Sequence, residues 1–196
     1  MRTTIRSPEP LKPQIEQAAQ QIQVQISKLN SISSKLREKD AAIFAKVVTL
    51  VQKRDTAHAN MLANELTEIR KMNKMVTHAK LAFEQIELRL NTIKDIGEIA
   101  VILSPAVGIM KSLGPDLSNV VPNAQNEIGE LSGLLNNILV DAGQLSSTSI
   151  NFETANEEAD HILMEASAAA ELSMREKFPD IPDSLPTRAR RYEEAI

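Results

Sequence analysis

The sequence predicts an all-α, elongated protein, and three observations carry that prediction. Between Pro13 and Gly97 there is neither glycine nor proline, whereas ordinary globular helices stop after about 8–20 residues. Within that run, Leu62, Ile69, Met72, Val76, Ala79, Phe83, Ile86, Leu90 and Ile93 are separated, after a first step of seven, by alternating threes and fours. That is the repeat of a coiled-coil seam. Strand-forming material is scarce, with four Phe, one Tyr and no Trp, so a sheet fold is disfavoured.

The first 13 residues read as an extended leader: Ser7-Pro8-Glu9-Pro10 is followed by Pro13, which suits the first turn of a helix. A first helix is expected from about Gln14 to about Leu36, with Ile15, Ile22, Leu29 and Leu36 at strict sevens. The charged cluster Arg37-Glu38-Lys39-Asp40 is the best place for a reversal, but it has no glycine, and Ile43, Leu50 and Ala57 continue the same phase. These residues permit either one very long helix or a hairpin. The second helix runs from about Asp40 to about Ile96, a rod of roughly 85 Å if continuous. Such a rod cannot bury its stripe against itself. It needs an antiparallel partner helix, a neighbouring subunit, or both.

Ser104-Pro105 and Leu113-Gly114-Pro115 bracket residues 106–112, which read as a small helix or ordered connector. Pro122 opens another helix with Ala124, Ile128, Leu131, Leu135, Ile138 and Ala142 on one face. Gly129 and Gly133 weaken it by roughly 1 kcal/mol each relative to alanine. A linker, 143–149, leads to Thr154-x-x-Glu157, a capping box for a last, acidic helix carrying Ala159, Ile162, Leu163, Ala166 and Ala170. From Phe178 to Pro186 three prolines forbid helix and favour polyproline-like extension. The expected units are therefore a leader, 1–13; a helical core, 14–142, with shorter helices in 105–142; a linker with an acidic helix, 143–177, to which the family resemblance described below gives a regulatory role; and a Pro-rich tail, 178–196.

Absence of cysteine excludes disulfides and thiolate metal sites. No run approaches 18 apolar residues, so no membrane span is expected, and MRTTIRSPEP lacks the apolar core of a signal peptide. The expected location is the cytoplasm. Catalytic and cofactor motifs are also missing: there is no phosphate loop, HExxH or dinucleotide fingerprint. His58, His78 and His161 are far apart in sequence and read as helix-surface residues. Neither catalytic residues, a metal nor a cofactor is expected.

Charge is where the sequence speaks about partners. Residues 1–80 hold 14 Lys/Arg against 7 Asp/Glu, and residues 81–196 hold 8 against 19, balances of +7 and −11. The front half is suited to an anionic surface, and the rear half could compete for that same face. Lys28 and Lys35 are seven apart, as are Lys39, Lys46 and Lys53, with Arg54 beside the end of the second row. On a rigid rod such rows can rest on anionic headgroups, each charge contributing about 1 kcal/mol; a merely solvated helix face explains them equally. Net acidity and the lack of stacking aromatics argue against nucleic acid. In the tail, Phe178, Ile181 and Leu185 are large apolar groups on a segment too extended to build a core. They suit docking in a partner's groove, or folding back onto the chain's own helices, which would equally make a switch.

This order of parts resembles the ESCRT-III proteins: a basic helix, a long second helix beginning near Lys39-Asp40-Ala41-Ala42-Ile43-Phe44-Ala45-Lys46, weaker helices, an acidic last helix and a Pro-rich tail. The stretch from Ile102-Leu103-Ser104-Pro105 through Val121-Pro122 to Asn136-Asn137 looks most like the archaeal cell-division branch, the CdvB-type paralogues, without the winged-helix extension of the longest of them. The resemblance implies an antiparallel hairpin, 14–96, reversing near residues 37–40. It implies subunits that polymerise with themselves and with other ESCRT-III paralogues, coat membrane necks at the division site, and are stripped by an AAA ATPase through its MIT domain. Phe178-Pro179, Ile181-Pro182 and Leu185-Pro186 are similar to the Pro-rich tails that bind that domain.

The resulting expectation is a non-enzymatic, filament-forming membrane-remodelling subunit. The seam of Ile69, Met72, Val76, Ala79, Phe83, Ile86, Leu90 and Ile93 would hold the rod and supply subunit contacts. Lys28, Lys35, Lys39, Lys46, Lys53 and Arg54 would touch lipid. A coiled-coil adaptor that dimerises without lipid is the alternative from another class.

Overall fold

The computed structural model describes residues 10–145 and 152–181. Within them the chain forms five helices and no strand: α1 (Leu11–Gln52), α2 (Thr56–Leu90), α3 (Ile96–Ser118), α4 (Ala124–Leu145) and α5 (Phe152–Lys177). α1 and α2 make an antiparallel hairpin. Contacts step in opposite directions along the two helices, Gln23 to Glu87, Ser33 to Asn73 and Asp40 to Arg70. At 42 and 35 residues the two arms are about 63 and 52 Å long.

The reversal lies at Lys53-Arg54-Asp55, not at residues 37–40. Arg37, Glu38 and Lys39 are good helix formers, and Ile43 and Val47 carry the buried stripe straight past them. The turn is made by backbone geometry that no glycine announces. Arg54 adopts a left-handed φ of 60°, and its N–H donates to the Val51 carbonyl at 3.0 Å. Asp55 then caps α2, its carboxylate accepting the His58 N–H at 3.2 Å.

α2 also ends earlier than the sequence implied, at Leu90 rather than near Ile96. The Thr92 hydroxyl donates to the Arg89 carbonyl at 2.7 Å, and the Lys94 N–H donates to the Glu98 carboxylate at 3.0 Å. Polar side chains thus close α2 without glycine or proline, and Gly97 falls inside the first turn of α3.

The expected short segment 106–112 is part of a 23-residue helix that runs through both Pro105 and Pro115. Proline in a helix interior costs about 3 kcal/mol. α3 offsets this by burying Ile99, Leu103, Ala106, Ile109, Met110, Leu113 and Leu117, the larger of which each contribute about 1.5–3 kcal/mol. Residues Glu98–Ser118 are also apolar and long enough to cross a membrane by length and composition, which amends the expectation that no segment is. Their burial against the neighbouring helices is that of a core helix.

α4 buries the face the sequence marks: Ala124, Ile128, Leu131, Leu135, Ile138 and Ala142, together with Leu139. α5 buries Ala155, Ala159, Ile162, Ala166 and Ala170, so its seat is made mainly of alanine. It starts at Phe152, upstream of Thr154, so Thr154 stands inside the helix rather than at its cap. α4 packs on α1 and α3, and α5 on α2 and α3.

Two apolar clusters result. The larger joins all five helices, centred on Ile22, Phe83, Ile86, Leu103, Met110 and Leu135. The smaller lies toward the hairpin turn and consists of Ile43, Val47, Leu66 and Ile69, with Phe44, Leu62, Met72 and Ile181 packed against it. Among the described residues the turn end is therefore two helices thick, plus one piece of the tail.

Candidate functional site: a cationic hairpin edge and a docked tail

The lysine rows lie along one flank of α1, where the seven-residue spacing puts them, but their surroundings differ along it. Near the middle, Lys28 Nζ sits 2.7 Å from both carboxylate oxygens of Glu127 on α4, and Gln25 donates to the same carboxylate at 2.9 Å. These hydrogen bonds, from Lys28 first and then Gln25, hold the Glu127 pKa below its ordinary value. Lys39 is exposed but 3.2 Å from Glu65 on α2. Lys35, Lys46, Lys53 and Arg54 are exposed and make no ion pair among the described residues. Of the six predicted cations, four thus remain free among the described residues, from Lys35 to the turn.

The acidic rear half does meet the basic front half, at Lys28–Glu127 and at Lys74–Glu171, and α5 adds further polar contacts along α2. Glu158 of α5 pairs with Arg89, and Glu171 lies 3.7 Å from Lys74. The ring Nε2 of His78 is 3.0 Å from the Leu163 carbonyl. α5 is therefore held by small apolar contacts plus a ladder of polar ones. Among the described residues, no three His, Cys, Asp or Glu side chains come together as a metal-ligating group.

The seam residues occupy the interior of this chain. Ile69, Val76, Ala79, Phe83, Ile86 and Leu90 are buried, and Met72 and Ile93 are partly buried. Their cover is α1 and the shorter helices, so in this conformation the seam is not offered to a neighbouring subunit. Of the tail residues, Phe178 is buried, Pro179 is exposed and Ile181 is half-buried. Pro182, Leu185 and Pro186 lie outside the described residues.

Sequence reasoning missed the group that receives the tail. Asp40 on α1 is buried, its side chain 4% exposed, and pairs with Arg70 on α2 at 2.7 Å. Arg70 Nη1 donates to the Pro179 carbonyl at 2.8 Å, and its guanidinium carbon lies 5.8 Å from the Phe44 ring centre and 5.4 Å from that of Phe178. One turn along α2, Asn73 is buried too; it accepts from the Ser33 hydroxyl at 2.8 Å and donates to the Met174 thioether at 3.3 Å. One signal was available. Asp40 falls on the buried stripe of Leu36, Ile43 and Val47, and a carboxylate on such a stripe demands a cation.

Fold and site together define an elongated helical-hairpin protein whose working surfaces are charge and packing. Over 177 residues it is 38% identical to Cell division protein B1 of Sulfolobus acidocaldarius, covering 90% of this chain and 83% of that protein. It is 29% identical to Cell division protein B of the same organism, over 89% of this chain and 68% of that one. No protein-family model matches the chain, and no solved structure does. The chain belongs to the Cell division protein B (CdvB) family of ESCRT-III proteins.

Proposed function

We propose that this chain is a structural subunit acting in archaeal cell division, one that polymerises with itself and with other ESCRT-III paralogues on the cytoplasmic face of the membrane. There it constricts and severs the membrane at the division site, and an AAA ATPase removes it by gripping the tail through an MIT domain. The observation that carries the membrane part is the unpaired row of Lys35, Lys46, Lys53 and Arg54 at the exposed turn end of a stiff hairpin. A surface of that kind meets anionic headgroups with little cost, because no internal ion pair has to be broken first. Lys28 and Lys39, already paired, contribute less to such contact. The names of the relatives support the division role, and the Pro-rich tail supports the ATPase.

Sedimentation with vesicles tests the reading. Binding should require anionic lipid and fall as salt rises, because exposed charges are screened beyond about 8–10 Å at physiological ionic strength. Replacing Lys35, Lys46, Lys53 and Arg54 by Glu should abolish it while leaving helicity unchanged. Equal binding to neutral vesicles in high salt would reject the assignment.

A further inference from the structure

Toward the turn, one flank of the hairpin carries both free charge and an exposed apolar side chain. The pairing of Lys39 with Glu65 at 3.2 Å fixes which faces of α1 and α2 share that flank. Lys46 and Lys53 follow Lys39 at sevens on α1 and so stay on it. Met61 precedes Glu65 by four residues on α2 and stays on it too. Because the helices are antiparallel, a step toward the turn raises the residue number on α1 and lowers it on α2. Met61 therefore lies about 6 Å turnward of the Lys39–Glu65 pair, and Lys46 about 10 Å turnward of it. The methionine is bracketed by a paired lysine on one side and free ones on the other.

Met61 is 68% exposed, and no other large apolar side chain between residues 37 and 75 stands so far out. Leu62 and Leu66 beside it pack in the smaller apolar cluster, so the helix beneath it is anchored. The tail sits elsewhere. It is held by Arg70, five residues from Glu65 and so about 140° round α2. α5 meets α2 through Lys74, His78 and Arg89, and the ion pair that seats α4 is far up the arm at Lys28. A lone exposed apolar residue is ordinary on a water-facing surface. This one stands among cations that no internal carboxylate engages. That combination suits a bilayer edge, with the charges at headgroup level and the apolar group just below.

We infer that Met61 is a lipid-inserting residue of the cationic flank: its side chain enters the acyl boundary of an anionic bilayer while Lys46 and Lys53 hold headgroup phosphates around it. The inference rests on the reading that this flank meets lipid, and it adds a contact that salt does not screen. Charge draws the arm to the surface. The methionine then anchors it between the lipids.

The chain has no cysteine, so Met61→Cys carries a single environment-sensitive fluorophore, and Met164→Cys, 67% exposed on α5, is the matched control. Both labelled chains and the parent are sedimented with anionic or neutral vesicles, and emission is read on the same samples. On anionic vesicles the label at 61 should shift to the blue and be quenched by nitroxides placed high on the acyl chains. The label at 164 should do neither. Binding without a shift at 61, or equal shifts at both positions, overturns insertion and leaves the membrane reading standing. Failure of all three chains to sediment with anionic vesicles overturns the membrane reading, and insertion with it. Without labels, Met61→Ser should weaken binding about tenfold, the loss of part of a methionine's burial, and should do so in low and high salt alike. Met61→Leu should restore it, and helicity should be unchanged in both. Met61→Ser binding as tightly as the parent, or a loss that vanishes in high salt, overturns the inference.

Discussion

The two ends of the hairpin use the same periodic stripe to different ends. Up to about Leu36, the α1–α2 groove is closed by three further helices, and Phe83, Val76 and Ala79 have no exposed surface. Beyond it the stripe continues through Ile43, Val47, Leu66 and Ile69, yet among the described residues its extra cover is the tail segment 178–181. The first region is a core, and removing its cover would expose a large apolar area. The second is a two-helix arm with a polar, separable lid and a free cationic flank. A repeat in sequence therefore sets where burial is required, while the elements that follow decide how permanent it is.

Truncations should separate the regions most strongly. Phe83→Ala should cost about 3–5 kcal/mol and lower the thermal midpoint of the whole molecule. Leu66→Ala, in the thinner region with room to collapse, should cost about 2–3 kcal/mol and raise hydrogen exchange mainly near the turn. Equal, global losses would mean that the two clusters form one cooperative core.

The buried ion pair comes next. Arg70→Gln alone should cost about 3 kcal/mol by stranding Asp40, and Asp40→Asn added to it should recover most of that. Urea unfolding of the parent, single and double variants measures the coupling; additive losses would show that the pair is not held as described.

The smallest effect is a pH dependence at the α1–α4 contact. The Glu127 pKa is lowered in the folded state by Lys28 and Gln25. Its stabilising contribution is therefore complete above the ordinary carboxylate value of 4.5 and is lost as pH falls through the lower folded value. Glu127→Gln should remove that acid-sensitive part of the unfolding free energy and leave the curve above pH 6 nearly parallel to that of the parent. An unchanged acid limb would point to other carboxylates.

Much of this was legible in the sequence because it is periodic. The stripes of α4 and α5, the seam from Ile69 to Leu90 and the lysine flank all follow from spacing alone. What covers a stripe is not periodic. The seam's need for a partner could be read from spacing, which left open whether a partner helix or a neighbouring subunit supplies it; the hairpin was implied by the family resemblance. The turn escaped because Arg54 takes a left-handed conformation that its residue type does not advertise. α3 escaped because local rules for Pro105 and Pro115 yield to burial contributed by distant residues. The pairings of Asp40 with Arg70 and of Lys28 with Glu127 span 30 and 99 residues, beyond any local pattern.

Electron microscopy of the purified chain, alone and with vesicles containing or lacking anionic lipid, tests the central claim most directly. The account predicts filaments or a protein coat on the anionic vesicles, absent from neutral ones and lost when Lys35, Lys46, Lys53 and Arg54 become Glu. A monodisperse particle that ignores anionic vesicles at every protein and salt concentration would contradict it.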